Sequence, residues 1–448
     1  MSNNDNRLDS ALVRALHLQI ADEMTAHRQR REVRREPPLS RGDEEQFAMS
    51  LMQAAVSRHM QSLLSRGQEL PDPSYDERLV AAIDAAMFRA GDIEELLQNN
   101  DIENIDCNGC DEVWITYADE RGKVRGLALW STDEDMILAI QTLASYAGLN
   151  ARPFTRANPE LDLRLPDGSR LSAVMSASER PLLSVRRNRY PQMFMSMLTE
   201  FGSITPQVAA FLKAAVLARC NIVVAGATDS GKTTLLRAMI NCIPSDVRLI
   251  TVERALELGL RRHPELHADV AELEEVLPDS EGKGGITIRD LVRRTRRMNP
   301  SRVIVGEVLG PECIEMLSAM SQGNNGSLST IHARNADDVF QKLATYGAQY
   351  EGLDFAVTHS LIASSLDFII FVEKNKKLGA RRCITQIVEV SIASEGNVLR
   401  SQIFVPAPFD GRAMRNADVP IQRAQELAEA GYSDGAGSAW DVTAAGWE

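Results

Sequence analysis

The spacing of apolar residues predicts helices at the start of the chain and a mixed domain after them. Apolar positions recur at helical spacing in one segment, at Leu8, Leu12, Leu16 and Ile20. A second helical segment includes Phe47, Leu51 and Met52. From residue 72 to 189, segments with helical periodicity alternate with segments with strand periodicity. Strands are expected at 113–117 and 127–130 and an amphipathic helix at 134–149.

The second half of the chain contains short, wholly apolar runs. Such runs are typical of parallel strands that are buried on both faces of a sheet. They occur at 221–225, 249–253 and 302–307, with helical segments at 203–218 and 289–298. Helices are expected over 335–366, and further strands at 368–372, 384–390 and 399–405.

These patterns define the expected domains. They are a helical charged segment (1–70), a mixed α/β domain (71–192), an α/β domain with C-terminal helices (193–375), a β extension (376–409) and a flexible acidic tail (410–448).

Charge and composition narrow the classes of protein. The 448 residues include 49 Lys and Arg against 62 Asp and Glu, a net charge of -13, which argues against a surface built to bind nucleic acid. The basic stretch from Arg28 to Arg41 is compatible with anionic lipid or a partner, although a solvated charge run is the more common explanation. No run approaches the roughly 20 apolar residues of a membrane span, and no signal-peptide core is present, so we expect a cytoplasmic protein.

Six scattered cysteines indicate reduced thiols rather than a disulfide framework. Cys107 and Cys110 form a C-x-x-C pair, but they flank Asn108-Gly109, a strong hairpin-turn signal. A second pair of zinc ligands at matching spacing is absent, which disfavours a metal site here.

The strongest chemical signal is GATDSGKT, which satisfies G-x-x-x-x-G-K-[ST] between an apolar strand and a helix. In such a loop, glycines let successive N–H groups face a phosphate chain at a helix N-terminus. Lys232 would neutralise the β and γ phosphates, and the Thr233 hydroxyl would ligate Mg²⁺. Asp229 is unusual because an inward carboxylate would repel triphosphate, so we expect it to point outward.

Two further strands end in carboxylates that fit the same chemistry. Glu307 ends RVIVGE, and Glu253 ends LITVE; either is placed to hold the magnesium shell or polarise the attacking water. The polar strand GSLSTIHA ends near His332, for which we favour a γ-phosphate sensing role over a purely structural one.

Together these motifs resemble the secretion ATPases that power type II secretion, type IV secretion and type IV pili. The resemblance is closest to the Tad/Flp pilus assembly branch and extends from about residue 92 to 405, including LPDGSRLSAV and LLSVRR. It implies an α/β fold with a RecA-like P-loop NTPase domain, preceded by a smaller mixed α/β domain and a helical segment. It further implies ATP and Mg²⁺ as cofactors, a homo-hexamer, an inner-membrane platform protein as partner, and a location at the inner face of the cell membrane.

The resemblance also assigns residues by position. It implies Glu307, Glu253, His332, Lys232, Arg186 and Arg170 as catalytic residues, and Thr233, Glu253 and Glu307 as metal ligands. The implied nucleotide-binding residues are Gly226, Ala227, Thr228, Asp229, Ser230, Gly231, Lys232, Thr233, Thr234 and Arg297. Arg289 matches the same basic segment as Arg297.

Four residues depart from the family pattern: Asp229 and Arg254 replace its usual Gly and Asp, Leu309 its Arg, and Asn324 its first His. Three hypotheses therefore stay open. The first is a motor that hydrolyses ATP for pilus assembly or secretion, the second a non-hydrolysing nucleotide-binding scaffold, and the third a conjugation ATPase that handles DNA.

Overall fold

The computed structural model describes residues 10–33, 41–67, 74–88, 93–146, 154–165, 167–278, 282–321, 323–379, 381–392 and 398–434. The chain divides into two compact units, Met1–Arg189 and Tyr190–Glu448. The domain boundary expected after residue 192 lies close to this division.

The described residues of the first unit form five helices. They are α1 (Ser10–Val33), α2 (Arg41–Ser65), α3 (Tyr75–Phe88), α4 (Glu94–Gln98) and α5 (Asp133–Tyr146). The predicted N-terminal helices are thus confirmed, and α1, α2 and α3 share a small apolar core that includes Ile20, Met52 and Leu79. Leu8 and residues 34–40 of the basic stretch lie outside the described residues.

In the described part of the first unit, six antiparallel strands form one sheet. They are β1 (Ile102–Asn108), β2 (Val113–Tyr117), β3 (Lys123–Arg125), β4 (Glu160–Arg164), β5 (Arg170–Val174) and β6 (Leu182–Arg186), in the order β3-β2-β1-β6-β5-β4. Alternate residues are buried, and α5 packs Met136 and Ile140 into the same core. Cys107 and Cys110 lie buried there, and burial raises the pKa of the Cys107 thiol to about 12.

One strand prediction is wrong. The apolar run 127–130 was expected to be a strand, whereas the strand is β3 and the run is irregular. Leu127 is 75% exposed and Trp130 is buried at 8%, so the run has no alternating buried face. Its apolar residues connect the sheet to α5 instead of extending the sheet.

The second unit is built on a sheet to which its described residues contribute nine strands. They are β7 (Ile222–Gly226), β8 (Leu249–Glu253), β9 (Val270–Glu274), β10 (Arg302–Val308), β11 (Leu328–His332), β12 (Phe368–Asn375), β13 (Arg381–Ile392), β14 (Val398–Pro406) and β15 (Ala413–Arg415). Neighbouring strands follow the order β15-β14-β13-β12-β7-β11-β10-β8-β9. Pairing is parallel from β12 to β9 and antiparallel from β12 to β15.

Helices cover both faces of this sheet. They are α6 (Met195–Glu200), α7 (Pro206–Leu217), α8 (Lys232–Ile240), α9 (Ile288–Thr295), α10 (Cys313–Ser321), α11 (Ala336–Glu351), α12 (Phe355–Ser365) and α13 (Ala424–Glu429). Along β7, Ile222 and Val224 enter one apolar core and Val223 and Ala225 the other. Burial on both faces explains why this strand is apolar at every position.

Strand β11 lies between β7, which leads into the GATDSGKT loop, and β10, which carries Glu307. This is the strand order of a RecA-like domain, and the predicted α/β fold class is confirmed.

The C-terminal strands continue the same sheet, and the segment after them is not a simple tail. Residues 410–434 were expected to be flexible, yet they contain β15 and α13. Leu427 and Tyr432 pack into the core beside Phe211, and buried Glu389 accepts hydrogen bonds from the backbone N–H groups of Gln422 and Arg423. The flexibility expected for 435–448 concerns residues outside the described part.

Across the described ranges, no helix combines the length and apolar character that crossing a bilayer requires.

Candidate nucleotide-binding site

The loop between β7 and α8 has the backbone that its glycines predict. A side chain at Gly226 would place Cβ 2.2 Å from the carbonyl oxygen of Val372, so no larger residue fits there. Gly231 has φ +97° and precedes the first turn of α8, which begins at Lys232. The loop therefore presents backbone N–H groups at a helix N-terminus, the arrangement that binds phosphate.

Three side chains predicted from separate motifs meet above the ends of adjacent strands. Lys232 Nζ lies 3.0 Å from the Ala227 carbonyl oxygen and 3.2 Å from His332 Nδ1. His332 Nε2 lies 2.6 Å from Glu307 Oε1. The structure thus brings together the loop lysine, the histidine at the end of β11 and the carboxylate near the end of β10.

The chemistry of these partners defines the histidine tautomer. Burial, followed by the charge of Lys232, holds the pKa of His332 below its ordinary value. In a neutral ring, Nδ1 accepts from the lysine because an ammonium only donates, and Nε2–H donates to Glu307 because a carboxylate only accepts. His332 is therefore a polar connection between the phosphate loop and the carboxylate.

Glu253 lies at the end of β8 and is almost completely buried, with 4% exposure. Its Oε1 accepts hydrogen bonds from the backbone N–H groups of Glu257 and Leu258 at 2.9 and 3.0 Å. Burial raises the pKa of its carboxyl to about 8, against the two backbone bonds. Without a bound cation, Glu253 is a neutral acid that anchors the segment after β8.

This burial predicts a pH-dependent stability. Between pH 4.5 and about 8 the folded chain keeps a proton that the unfolded chain releases, so the free energy of unfolding falls as pH rises. Glu253→Gln cannot ionise and should lose this dependence. We expect the melting temperature of the variant, relative to the parent, to increase by several degrees across this range, since about 1 kcal/mol shifts it by roughly 2–4 °C. Scanning fluorimetry at a series of pH values measures the melting temperature. Glu265→Gln, at an exposed position, is the control. If E253Q and the parent showed the same dependence of melting temperature on pH, the raised pKa of Glu253 would be contradicted.

The donor set suits Mg²⁺ bound together with a nucleotide. Mg²⁺ takes oxygen ligands, usually one or two carboxylates, waters and substrate phosphates. Thr233 follows Lys232 at the start of α8, and Glu307 is partly exposed. Among the described residues, Ser230 Oγ and Glu253 Oε2 are buried oxygens without a hydrogen-bond partner. The described residues contain no cluster of three or more His, Cys, Asp or Glu for a metal held by protein alone, so the phosphates would supply ligands too.

The four residues that depart from the family pattern have local partners, through the side chain at Arg254 and Asp229 and through the backbone at Leu309 and Asn324. Arg254 is 68% exposed and pairs with Glu275 at 3.2 Å, so its charge is directed to that carboxylate. The backbone N–H of Leu309 donates to Glu312, and the Asn324 carbonyl accepts from Ser327 Oγ at 2.8 Å. Asp229 has φ +60° and directs its carboxylate to Lys374 and Arg382, which agrees with the expected outward orientation.

The structure does not bring Arg297 to the loop of the same chain. Met298, beside it, accepts a hydrogen bond from Arg248, which immediately precedes β8. The loop lies at the opposite ends of the strands, about 17 Å away for a five-residue strand. The reason is that α9 runs antiparallel to β10 and carries its last residues away from the phosphate loop. Arg289 lies in the first turn of α9 and pairs with Glu351.

Arg170 and Arg186 lie in the first unit on adjacent strands. They are direct cross-strand neighbours in the antiparallel register, and both are exposed. Their assignment to phosphate contacts stays a prediction.

Arg237 is a residue that the sequence analysis missed. It lies buried on α8 and donates hydrogen bonds to the carbonyls of Tyr190 and Glu257 at 2.6 and 3.0 Å. Asn241, one turn later, donates to the Met193 carbonyl at 2.9 Å. A single sequence carries no signal for these bonds, because an arginine on a helix is usually solvated.

The fold and loop together define a P-loop nucleotide-binding protein. Residues 88–398 match the family model described as Type II/IV secretion system protein, and the chain belongs to this family. A Mycobacterium tuberculosis protein named provisionally for conjugal transfer is 34% identical over 318 residues, covering 69% of this chain and 86% of the relative. The type IV secretion system protein PtlH of Bordetella pertussis is 28% identical over 321 residues, covering 65% and 91%. In the solved ATPase DotB of Legionella pneumophila, a match of 17% identity covers 66% of this chain and 79% of that chain, with TM-score 0.48.

The predicted family resemblance is thereby confirmed, whereas the Tad/Flp branch within it stays a prediction.

Proposed function

We propose that the chain is an ATPase that binds ATP with Mg²⁺ at the β7–α8 loop and hydrolyses it. The observation that carries this proposal is the continuous connection from Lys232 through His332 to Glu307, formed by residues of three separate sequence motifs. A purely structural glycine turn needs neither a buried lysine nor a carboxylate aligned with it through a histidine.

The chain's own residues divide the chemistry among them. Lys232 exchanges the Ala227 carbonyl and the His332 ring for the β and γ phosphates, and the loop N–H groups hold the same phosphates. Glu307 accepts a hydrogen bond from the attacking water and then its proton. Thr233 and the carboxylate of Glu253 or Glu307 would hold Mg²⁺ together with the phosphates. The metal would neutralise charge that develops on the phosphate oxygens. His332 contacts both Lys232 and Glu307, so it couples γ-phosphate binding at the lysine to the position of the Glu307 carboxylate.

The wider function in this proposal is mechanical. The chain assembles as a homo-hexamer in the cytoplasm, at the inner face of the membrane, and acts on an inner-membrane platform protein of a Tad/Flp-type pilus or related secretion apparatus. Family membership supports transport as the process, and the named relatives include type IV secretion proteins.

A conjugation ATPase that handles DNA is the second candidate, favoured by the name of the mycobacterial relative. The basic helix α9 would be its binding surface. However, Arg293 and Arg296 both pair with Glu315 at 2.7 and 2.6 Å, and Arg289 pairs with Glu351. These internal ion pairs remove much of the charge that DNA would need, so the structure favours the protein-transport role.

One experiment separates the remaining alternatives. We expect purified full-length chain to release phosphate from ATP in the presence of Mg²⁺ and to stop when EDTA is added. ATP binding without phosphate release would favour the scaffold hypothesis. Salt-sensitive binding of a labelled single-stranded oligonucleotide, measured on the same preparation, would favour DNA handling.

A further inference from the structure

The Asp229 carboxylate lies between two cationic side chains of the β12–β13 hairpin. Arg382 Nη2 is 2.7 Å from Oδ1, and Lys374 Nζ is 2.5 Å from Oδ2. Arg382 Nε also donates to the main-chain carbonyl of Asp229 at 3.0 Å. Both the side chain and the backbone of this loop residue are therefore held from outside the loop.

The two cations need this carboxylate as much as it needs them. Lys374 and Arg382 are direct cross-strand partners in the antiparallel register, and like charges in that position repel. Asp229 lies between them and leaves the cluster with one net positive charge. The aliphatic part of Arg382 also covers Gly231, since a Cβ there would lie 3.3 Å from Arg382 Cδ.

The backbone of Asp229 adds a second requirement. Its φ of +60° is in the left-handed region, which non-glycine residues seldom adopt, although Asp is among those that tolerate it. If the carboxylate lost its partners, it would be free to turn towards the phosphates and repel them. The bonds from Arg382 keep the backbone of Asp229 in its left-handed conformation and keep its carboxylate turned away from the phosphates.

We propose that Arg382, assisted by Lys374, is a positioning residue of the phosphate loop. It neutralises and holds the Asp229 carboxylate, so that an aspartate occupies a backbone position that otherwise suits glycine. Arg382 acts on the nucleotide through Asp229 and does not touch it. This inference rests on the proposed nucleotide site and names a residue outside its recognised motifs.

A double-substitution cycle on the full chain tests the proposal. Affinity for ADP and for a non-hydrolysable ATP analogue is measured by calorimetry for the parent, Arg382→Gln, Asp229→Gly and the double variant. We expect R382Q to weaken binding at least about tenfold in the parent, because a charge loses its hydrogen-bonded partner. In the D229G background the same substitution should change affinity less than about twofold. The loss should also shrink at high salt, because repulsion by an exposed carboxylate is screened.

Controls keep the outcome interpretable. Arg381→Gln removes the neighbouring, exposed arginine beside Gly202 and should leave affinity unchanged. Thermal unfolding shows whether each variant is folded. If R382Q fails to fold, R382K is compared with R382K/D229N, which keeps the positive charge at position 382 and removes only the geometry of the arginine. An equal loss in both backgrounds, or no loss in either, would overturn the inference while leaving the parent's nucleotide binding, and thus the proposed function, intact. A parent that binds no nucleotide would overturn both.

Discussion

Lys232→Ala is expected to reduce nucleotide binding and turnover by at least about a hundredfold. The ammonium group of Lys232 reaches from α8 towards both the loop carbonyl of Ala227 and the ring of His332. Charge-assisted bonds to phosphate are about twice as strong as neutral ones, and the partial charge at the helix N-terminus does not replace a full charge. Calorimetry with ADP and a phosphate-release assay measure the two quantities separately.

The matched control is Lys213→Ala, which removes an exposed lysine of α7 in the same unit. It should leave both quantities within about twofold of the parent, as is usual for surface substitutions. Lys232 is buried, with 7% exposure, so melting curves must show that K232A is folded before its loss of activity is assigned to chemistry. A folded K232A that hydrolyses ATP at the parent rate would refute the site.

Glu307→Gln is expected to separate binding from hydrolysis. The glutamine keeps the shape and still offers an oxygen to His332 Nε2–H, so the polar connection survives. It cannot accept the proton of the attacking water, which should lower the single-turnover rate by about 10²–10⁴-fold. ATP affinity should hold or increase, because one negative charge near the phosphates is removed.

Single-turnover kinetics with labelled ATP, together with equilibrium binding, give both numbers. Glu373→Gln, an exposed carboxylate on β12, is the control and should leave both unchanged. If E307Q weakened binding as much as hydrolysis, Glu307 would hold the nucleotide rather than activate water. If it changed neither, the base would have to be sought elsewhere.

The core of the site was predictable because the residues that form it are close together in the sequence. The strand, loop and helix around Lys232 follow one another within about 20 residues, and glycines mark where the backbone must turn. The apolar strands β8 and β10 were predicted close to their observed bounds because burial on both faces leaves no polar position. In both cases the pattern and the structure depend on the same few residues.

The features that could not be predicted depend on contacts between distant segments. The bonds from Lys374 and Arg382 to Asp229 join residues 145 and 153 positions apart, and no pattern along the chain specifies them. Arg297 was assigned by resemblance, but the direction of α9 places it at the far edge of the sheet. Residues 410–434 have a tail-like composition, yet Glu389 on a central strand holds their backbone. Each of these outcomes depends on the topology of the whole sheet.

The bonds from Arg237 and Asn241 to the carbonyls of Tyr190 and Met193 have a mechanical consequence. The polypeptide that enters the second unit is fastened, within its first four residues, to the helix that starts at the phosphate loop. Almost no slack separates the two. A small rotation of that helix would therefore displace the incoming chain directly, because Arg237 and Asn241 hold the carbonyls of Tyr190 and Met193.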